Sequence, residues 1–593
     1  MTNTLPHWDM TVVYPSLESN EFEAGFQSVI DKIADLGKLF EQHKIEKRDP
    51  ASLDDAATQS FETIIHSINA ASEDVRTMMA YINSFVATDS RNNLAQTKMS
   101  ELQQHVVRLQ MLGTRLTAWI GSLDVDALVN RSQVARDHAF MLRKAKIEAA
   151  HQLSPAEEDL VAELRPTGST AWNRLHQNFT SQLLVKVEGQ KQELPMSMVR
   201  NLAYDPDRET RRAAYEAEIE AWKKAAVPIA AAMNSIKGAT NLLCKKRKWE
   251  SPLDETLFDN NIDRQTLDAM MTAARESFPD FRRYLRAKAR ALKLDALAWY
   301  DLFAPLGNGG RAWSYDEGAQ FIVDQFATFS SKLSGMAARA FRENWIDAEP
   351  SVGKRDGAFC MSLRKDESRV LTNFKPAFAA VSTIAHELGH AYHNVNLAPR
   401  TMLQRDTPMT LAETASIFCQ TIVNQAALKQ SDAKEQINIL EESLQNSCQI
   451  VVDISSRFLL EQRLFDQRQK RELSVDELNE MMLQAQRETY GDGLDPNVLH
   501  PYMWAMKPHY YSSTLYNYPY MFGLLFGLGL YARYQHDPDK FKAGYDDLLS
   551  STGLGNAAEL AARFGIDTRS PDFWRASLDV IRGEINQFEK LVG

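Results

Sequence analysis

The sequence predicts a mainly α-helical protein with one small β-sheet. From about Glu21 to Leu164, apolar residues recur three and four positions apart, which is the period of a helix with one buried face. Few Gly or Pro residues interrupt this run. The best strand pair in the chain comprises residues 358–363 and 369–374, which flank the polar turn 364–368. Helices are therefore expected to build most of the core, and the sheet is expected to be local.

The length of 593 residues exceeds what one hydrophobic core usually covers, so at least two domains are expected. Residues 184–194 alternate about a Gly and predict a small hairpin, and a new helical series begins at Asp205. We place the boundary between these two features. This gives an N-terminal helical domain of residues 1–198 and a second domain of residues 199–593. The Gly-rich stretch 307–310 lacks the Lys-Ser/Thr of a phosphate-binding loop and predicts a flexible surface turn.

Composition argues against several classes of protein. The hydrophobic content of 44% and the charged content of 24% are those of an ordinary globular protein. The net charge of −11 argues against a nucleic-acid partner, because phosphate binding needs a basic surface. The most apolar run, Tyr520 to Ala532, is too short to cross a bilayer and predicts a buried helix. We therefore expect neither nucleic acid nor a membrane among the partners.

The N-terminal residues show no basic region followed by an apolar core, so no signal peptide is expected. Four cysteines without a Cys-x-x-Cys spacing predict free thiols in a reducing cytoplasm. These are Cys244, Cys360, Cys419 and Cys448.

The stretch from Thr383 to His393 contains His-Glu-x-x-His within an apolar run of helical length. Residues four apart lie on one face of a helix, so His386 and His390 can direct both imidazoles at one metal ion. Glu387 lies about 100° around the helix, where it can reach a water beside that ion without being a third ligand. The pattern predicts a catalytic zinc. The alternative is a helix that carries two incidental histidines and a surface glutamate.

A catalytic zinc usually has three protein ligands and one open position. The longer pattern with a third His fails here, because residues 391–396 contain neither the required Gly nor the final His. Residues 410–419 predict a second helix, and its Glu413 would complete a His, His, Glu set. Glu413 could instead be the acidic member of a capping box that begins at Thr410. Cys419 is better explained as a small buried apolar residue than as a ligand.

Several stretches together resemble the oligoendopeptidase F branch of the thimet oligopeptidase family of zinc metallopeptidases. The resemblance extends over nearly the whole chain. One departure is visible, because these enzymes often carry an acid seven residues after the glutamate ligand and this chain has Gln420. The matching stretches are residues 8–10, 14–16, 205–208, 299–301, 356–360, 371–374, 386–390 and 413–416 and the Tyr-rich run from His509.

The resemblance implies helical lobes around a deep catalytic groove, with the small sheet beside the zinc helix. It implies one zinc per chain and hydrolysis of internal peptide bonds in short oligopeptides, with Glu387 as general base. An edge of the strand pair could hold an extended peptide by main-chain hydrogen bonds.

In this family a His followed by Tyr residues donates to the oxyanion that forms on the attacked carbonyl. His509 matches this position, and Tyr516 is our choice of tyrosine. The intervals do not match uniquely, so Tyr510, Tyr518 and Tyr520 remain open as substrate-binding candidates.

Two other functions are compatible with the sequence. A peptidyl-dipeptidase would remove C-terminal dipeptides, and it would need a basic residue to bind the free carboxylate. A helical binding or scaffold protein would carry a structural or vacant metal site. Zinc content and cleavage of a quenched oligopeptide separate these functions. The sequence does not specify peptide preference, physiological role or oligomeric state.

Overall fold

The computed structural model describes residues 5–49, 53–306 and 310–593, and most of the predicted turn at 307–310 lies outside these ranges. The N-terminal region is helical, as predicted. Capping residues begin several of its helices: Ser19 accepts from the amide of Phe22, and Asp54 accepts from the amide of Ala57. The helices are α1 (Asn20–Gln42), α2 (Asp55–Thr88), α3 (Asn93–Gly121), α4 (Val125–Arg131), α5 (Gln133–Asp137), α6 (Ala139–Ala150), α7 (Pro155–Leu164) and α8 (Ser169–Ser181).

A short hairpin and a series of long helices follow. The strands β1 (Leu184–Val185) and β2 (Leu194–Pro195) pair antiparallel, which confirms the predicted hairpin. The predicted new helical series begins with the long helix that Asp207 caps. The helices of this part of the chain are α9 (Met196–Asn201), α10 (Arg208–Lys246), α11 (Pro252–Asp259), α12 (Arg264–Ala291), α13 (Tyr315–Phe329) and α14 (Ser331–Arg342).

The second sheet has three strands in the order β3-β5-β4: β3 (Ile346–Asp347), β4 (Phe359–Arg364) and β5 (Glu367–Leu371). The antiparallel pair β4 and β5 confirms the predicted strand pair with shifted limits, because the turn contains only Lys365 and Asp366. Lys365 adopts a positive φ of 41°, as tight turns often require. The sequence pattern did not predict β3, since two residues are too few to show a period.

The remaining helices complete the C-terminal half of the chain. The predicted buried helix at Tyr520 to Ala532 is confirmed and is the middle of α23. None of the helices in the described ranges is long and apolar enough to cross a membrane. The helices are α15 (Phe378–Leu397), α16 (Met409–Ala412), α17 (Ser416–Gln430), α18 (Ala433–Cys448), α19 (Ile454–Arg468), α20 (Val475–Tyr490), α21 (Met503–Met506), α22 (His509–Ser512), α23 (Tyr518–His536), α24 (Pro538–Ser550), α25 (Ala557–Ala562) and α26 (Pro571–Val592).

The buried apolar side chains form two smaller clusters among the N-terminal helices and one large cluster in the rest of the chain. Val185 and Met196, from the hairpin region, belong to the large cluster. Leu363 of β4 belongs instead to an N-terminal cluster, which fixes the first helices against the second sheet. The mainly α-helical fold class is confirmed, whereas the division at residue 198 stays a prediction.

Candidate metal centre

Three side chains converge at the middle of α15. The Nε2 atoms of His386 and His390 each lie 3.3 Å from Oε2 of Glu413. All three side chains are about a quarter exposed, at 23 to 25%. Among the described residues, these are the His, Cys, Asp and Glu side chains whose ligand atoms gather closely enough to hold a metal ion. The spacing of four residues along α15 brings the two imidazoles together, as predicted.

The backbone around Glu413 differs from the predicted capped helix. The helix α16 begins at Met409 and ends at Ala412, so Thr410 lies inside its first turn. The Thr410 hydroxyl donates to the carbonyl of Asn260 at 2.7 Å and does not cap a helix. Glu413 lies in the break between α16 and α17, and the capping-box alternative is therefore wrong. This break frees the carboxylate to turn toward α15.

Two glycines allow the Glu413 segment to approach its neighbours. A Cβ at Gly389, between the two histidines on α15, would lie 2.5 Å from Cα of Ser416 and 2.7 Å from the carbonyl oxygen of Ala415. A Cβ at Gly523, on α23, would lie 2.8 Å from Cβ of Glu413. Real side chains do not tolerate such distances. The segment is therefore held between two helices at positions where neither carries a side chain.

Neutral groups orient the first histidine. Nδ1 of His386 lies 3.1 Å from Oε1 of Gln420, and Nε2 of Gln420 donates to Oγ of Ser382 at 3.1 Å. Ser382 in turn donates to Oδ1 of Asn424 at 2.8 Å. A neutral imidazole that donates from Nδ1 presents the lone pair of Nε2 to the centre of the cluster. Gln420 therefore orients His386 through a neutral amide. The family that the sequence resembles often has an acid at this position.

The donor set fits a zinc ion. Bonds of about 2.0–2.1 Å at tetrahedral angles separate two ligand atoms by roughly 3.3–3.4 Å, which agrees with the two 3.3 Å separations at Glu413. Burial alone would lower the pKa of His386, but hydrogen bonding to Glu413 and the charges of Glu413 and Glu387 raise it. A divalent cation would take the place of the proton that a histidine otherwise shares with Glu413.

Glu387 is buried beside this cluster, with a relative exposure of 6%. Burial raises the pKa of its carboxyl, an effect that the nearby histidines and a hydrogen bond from the backbone N–H of Cys360 partly offset. Cys360 belongs to β4, so this strand of the sheet lies beside Glu387 and lines the groove with it. Sequence reasoning gave no role to this backbone group, because a main-chain donor leaves no signal in side-chain identity.

Two cavities meet at the cluster, and His386 and Glu413 line both. The first, which we name the groove, has a volume of about 1110 Å³ and lies between the N-terminal helices α2 and α3, the strand β4 and the helix α15. Glu387 and His390 line the groove only. The second, which we name the inner cavity, has a volume of about 500 Å³ and lies among α15, α17, α18, α23 and α26. The cluster is thus open on two sides.

The Tyr-rich run is only partly at the site. Tyr520 lines the inner cavity, and burial together with a hydrogen bond to Tyr516 raises its pKa. The hydroxyls of Tyr516 and Tyr520 are 2.7 Å apart, and the ring of His509 stacks on that of Tyr516 at 4.7 Å. Tyr520 therefore lines the inner cavity with Glu413, whereas Tyr516 and His509 line neither cavity and are connected to Tyr520 through the hydroxyl pair and the ring stack.

Tyr510 and Tyr518 lie elsewhere. Both are fully buried and line neither the groove nor the inner cavity. Tyr518 donates to the carbonyl of Thr256 at 3.0 Å, and Tyr510 has no hydrogen-bond partner for its hydroxyl among the described residues. These positions correct the expectation that the two tyrosines contact substrate, because a fully buried ring has no access to a peptide. Cys419 is fully buried and outside the cluster, as expected, and all four cysteines are free thiols.

Comparison with known proteins agrees with this geometry. The family model described as "Peptidase family M3" matches residues 318–580, and the model described as "Oligopeptidase F" matches residues 120–183. The chain belongs to peptidase family M3. The matched segments include the metal cluster, Glu387 and the Tyr-rich run, and this M3 peptidase carries them on the elements described above.

Relatives of the M3 peptidase cover nearly its full length. An oligoendopeptidase F homolog of Lactococcus lactis subsp. lactis is 24% identical over 99% of this chain and 97% of the relative. Oligopeptidase PepF of Bacillus subtilis is 20% identical over 99% of this chain and 87% of the relative. The crystal structure of oligoendopeptidase-F from Enterococcus faecium superposes with a TM-score of 0.71 at 15% identity, covering 96% of this chain and 99% of that one. The fold is therefore shared along the entire chain.

Proposed function

We propose that this M3 peptidase is a zinc-dependent endopeptidase that hydrolyses internal bonds of short oligopeptides. The observation that carries the proposal is the convergence of His386, His390 and Glu413 at a groove that also contains Glu387. The full-length relatives named oligoendopeptidase F and oligopeptidase support the same substrate class.

His386, His390 and Glu413 would hold the ion, and one zinc per chain follows because this is the one such cluster in residues 5–49, 53–306 and 310–593. When bound, zinc supplies Lewis acidity, which lowers the pKa of water and polarises a carbonyl. Glu387 accepts a proton from the attacking water and delivers it to the leaving amine. Its raised pKa suits this exchange, because a carboxyl with a pKa nearer to neutrality can both take and return a proton.

Tyr516 and His509 are proposed to stabilise the negative charge that grows on the carbonyl oxygen. Tyr520 lines the inner cavity with Glu413, and its hydroxyl hydrogen-bonds that of Tyr516 at 2.7 Å. A donor pair of this kind holds each hydroxyl in place before the reaction, so that little reorganisation is needed in the transition state.

The groove supports an extended, short substrate. The strand β4 lines it and lies at the edge of its sheet, with β5 as its partner among the described residues. An extended chain spans about 3.3 Å per residue, so a groove of this kind holds a peptide of a few residues more readily than a folded domain. Peptides of about 5 to 20 residues are the expected substrates.

Metal analysis and peptide cleavage on one preparation test the proposal. A chelator should abolish cleavage of a quenched oligopeptide, zinc should restore it, and His386→Ala should lower the zinc content. Full activity in a protein shown to be free of metal would end the zinc proposal. Bound zinc without cleavage of any peptide would favour the scaffold alternative.

A further inference from the structure

A positively charged side chain that pairs with none of the described residues lies in the groove. Arg76, on α2, is partly buried and lines the groove together with Glu387 and β4. Within the described ranges its guanidinium makes neither an ion pair nor a hydrogen bond. Burial lowers the pKa of Arg76, and the charge of Arg405 lowers it further. The charge of Glu73 offsets part of this effect, but no side chain in these ranges pairs with the guanidinium, so keeping the charge costs free energy.

The other two arginines of the groove differ from Arg76. Arg405 is satisfied by the structure, since it donates to the carbonyls of Arg400 and Ala398 at 2.8 Å each. Arg355 lies exposed at the rim, with its guanidinium 5.5 Å from the ring centre of Phe359. Arg76 alone of the three is both partly buried and unpaired among the described residues.

Arg76 is close to the reacting groups. Burial raises the pKa of the Cys360 thiol on β4, the charge of Glu387 raises it further, and the charge of Arg76 lowers it. Arg76, Cys360 and Glu387 line the same groove, and both charged groups lie near this strand residue. A peptide that runs along β4 past Glu387 passes the guanidinium within a few residues of the cleaved bond.

We infer that Arg76 binds a carboxylate of the peptide, either its C-terminus or an acidic side chain, on the groove side of the cleaved bond. The planar guanidinium can form two parallel hydrogen bonds to a carboxylate, and partial burial strengthens them. This inference rests on the proposed function, whose substrate preference it specifies.

Matched peptides test the inference on the zinc-loaded, full-length protein. One pair differs only in a C-terminal acid or amide, and a second pair differs only in an internal Glu or Gln near the cleaved bond. The wild type should favour one carboxylate peptide over its neutral match by about ten- to a hundredfold in kcat/KM, mainly through KM. The pair that shows the preference identifies the source of the carboxylate.

Variants separate binding from structure. Arg76→Gln should remove the preference by lowering kcat/KM for the carboxylate peptide to the level of its neutral match, and Arg76→Lys should restore part of it because it keeps the charge without the planar fork. Arg355→Gln, at the exposed rim, should have a small effect. Equal cleavage of both members of each pair by the wild type, or an equal loss on all peptides in Arg76→Gln, would overturn the inference.

Failure of the proposed function would be recognised separately. If the wild type cleaves none of the peptides, calorimetric binding of the same four peptides to Glu387→Gln protein, with and without Arg76→Gln, decides the role of Arg76. Tighter binding of a carboxylate peptide that depends on Arg76 supports the inference, and binding that is independent of Arg76 refutes it.

Discussion

The groove and the inner cavity share two metal-binding candidates but differ in charge. The groove contains Arg76, Arg355 and Arg405 beside the carboxyls of Glu387 and Asp406. In the described part of the chain, the inner cavity is lined by no Lys or Arg but by the carboxyls of Glu442 and Glu584. Burial raises the pKa of both carboxyls to about 7.

This difference indicates how a peptide would be oriented across the metal centre. An anionic end is repelled by ionised carboxylates and attracted by an unpaired guanidinium, so it is favoured on the groove side. The inner cavity offers polar neutral groups as well, including Gln445, Asn446 and Gln449. The two sides are thus chemically distinct, and substitutions on each side should have different consequences.

The largest expected contrast is between two glutamates. Glu387→Gln keeps the shape of the side chain and should keep the zinc, yet it removes the proton acceptor, so kcat should fall by about a hundred- to ten-thousandfold. Glu442→Gln is the matched change in the inner cavity and should alter kcat only a few-fold. Metal content and kcat are measured on the same samples. Near wild-type turnover in Glu387→Gln would remove Glu387 from its proposed role.

The second contrast lies within the Tyr-rich run. Tyr516→Phe and Tyr520→Phe each remove one hydroxyl of the hydrogen-bonded pair and should lower kcat by roughly ten- to a thousandfold with little change in KM. His509→Ala should act in the same direction. Tyr518→Phe is the control, because its hydroxyl is buried against Thr256, and its loss should cost about 1 kcal/mol of stability without changing kcat. Equal effects of Tyr518→Phe and Tyr516→Phe on kcat would show that the run acts only through packing.

Sequence reasoning succeeded where the chemistry is local. His386, Glu387 and His390 share one helix, and their arrangement follows from its period. Glu413 was predicted as a ligand, but the break in the backbone that presents it was not. That break depends on Gly389 and Gly523, which accept close contacts from a distant segment, and only the folded chain shows which segment it is.

Tertiary packing explains the remaining differences between prediction and structure. The Tyr residues at positions 510 to 520 are similar in sequence, yet the packing of α22 and α23 buries three of them, Tyr510, Tyr511 and Tyr518, and directs Tyr520 into the inner cavity. Arg76 lies in an ordinary amphipathic helix, and no feature of its sequence indicates that this helix faces β4. Sequence patterns therefore named candidates on other elements, such as Glu413 and Tyr520, but could not show which side chains the packing brings to the site.

A third prediction concerns the close contact between Gly389 and the segment that follows Glu413. Gly389→Ala should displace the Ser416 segment and weaken zinc binding by roughly ten- to a hundredfold, since ligand orientation determines affinity. Gly335→Ala is the control, because a Cβ there meets no atom within 4 Å and Ala favours the helix α14. Chelator competition measures the affinity. Unchanged zinc affinity in Gly389→Ala would show that the segment relaxes without moving the carboxylate.

The smallest expected effect is a change in the pH dependence of stability from the inner cavity. Glu584 accepts hydrogen bonds from Gln425 at 3.0 Å and from Ser443 at 2.7 Å, and burial raises its pKa from 4.5 to about 7. The folded state therefore holds this proton more tightly than the unfolded state. The contribution of this bound proton to the free energy of unfolding is fully present below about pH 4.5 and decreases as the pH rises toward 7.

Glu584→Gln should remove this decrease, because the amide cannot ionise. Relative to the wild type, the variant should gain stability between pH 5 and pH 8, by at most about 3 kcal/mol, with unchanged kcat at neutral pH. Ser443→Ala removes a hydrogen-bond donor that favours the ionised carboxylate of Glu584. The pKa of Glu584 should therefore rise further, and the loss of stability should occur at higher pH. Melting temperatures at several pH values measure both effects. Parallel profiles for the wild type and Glu584→Gln would mean that Glu584 titrates as an ordinary glutamate, and the inner cavity would then present a fixed negative charge at neutral pH.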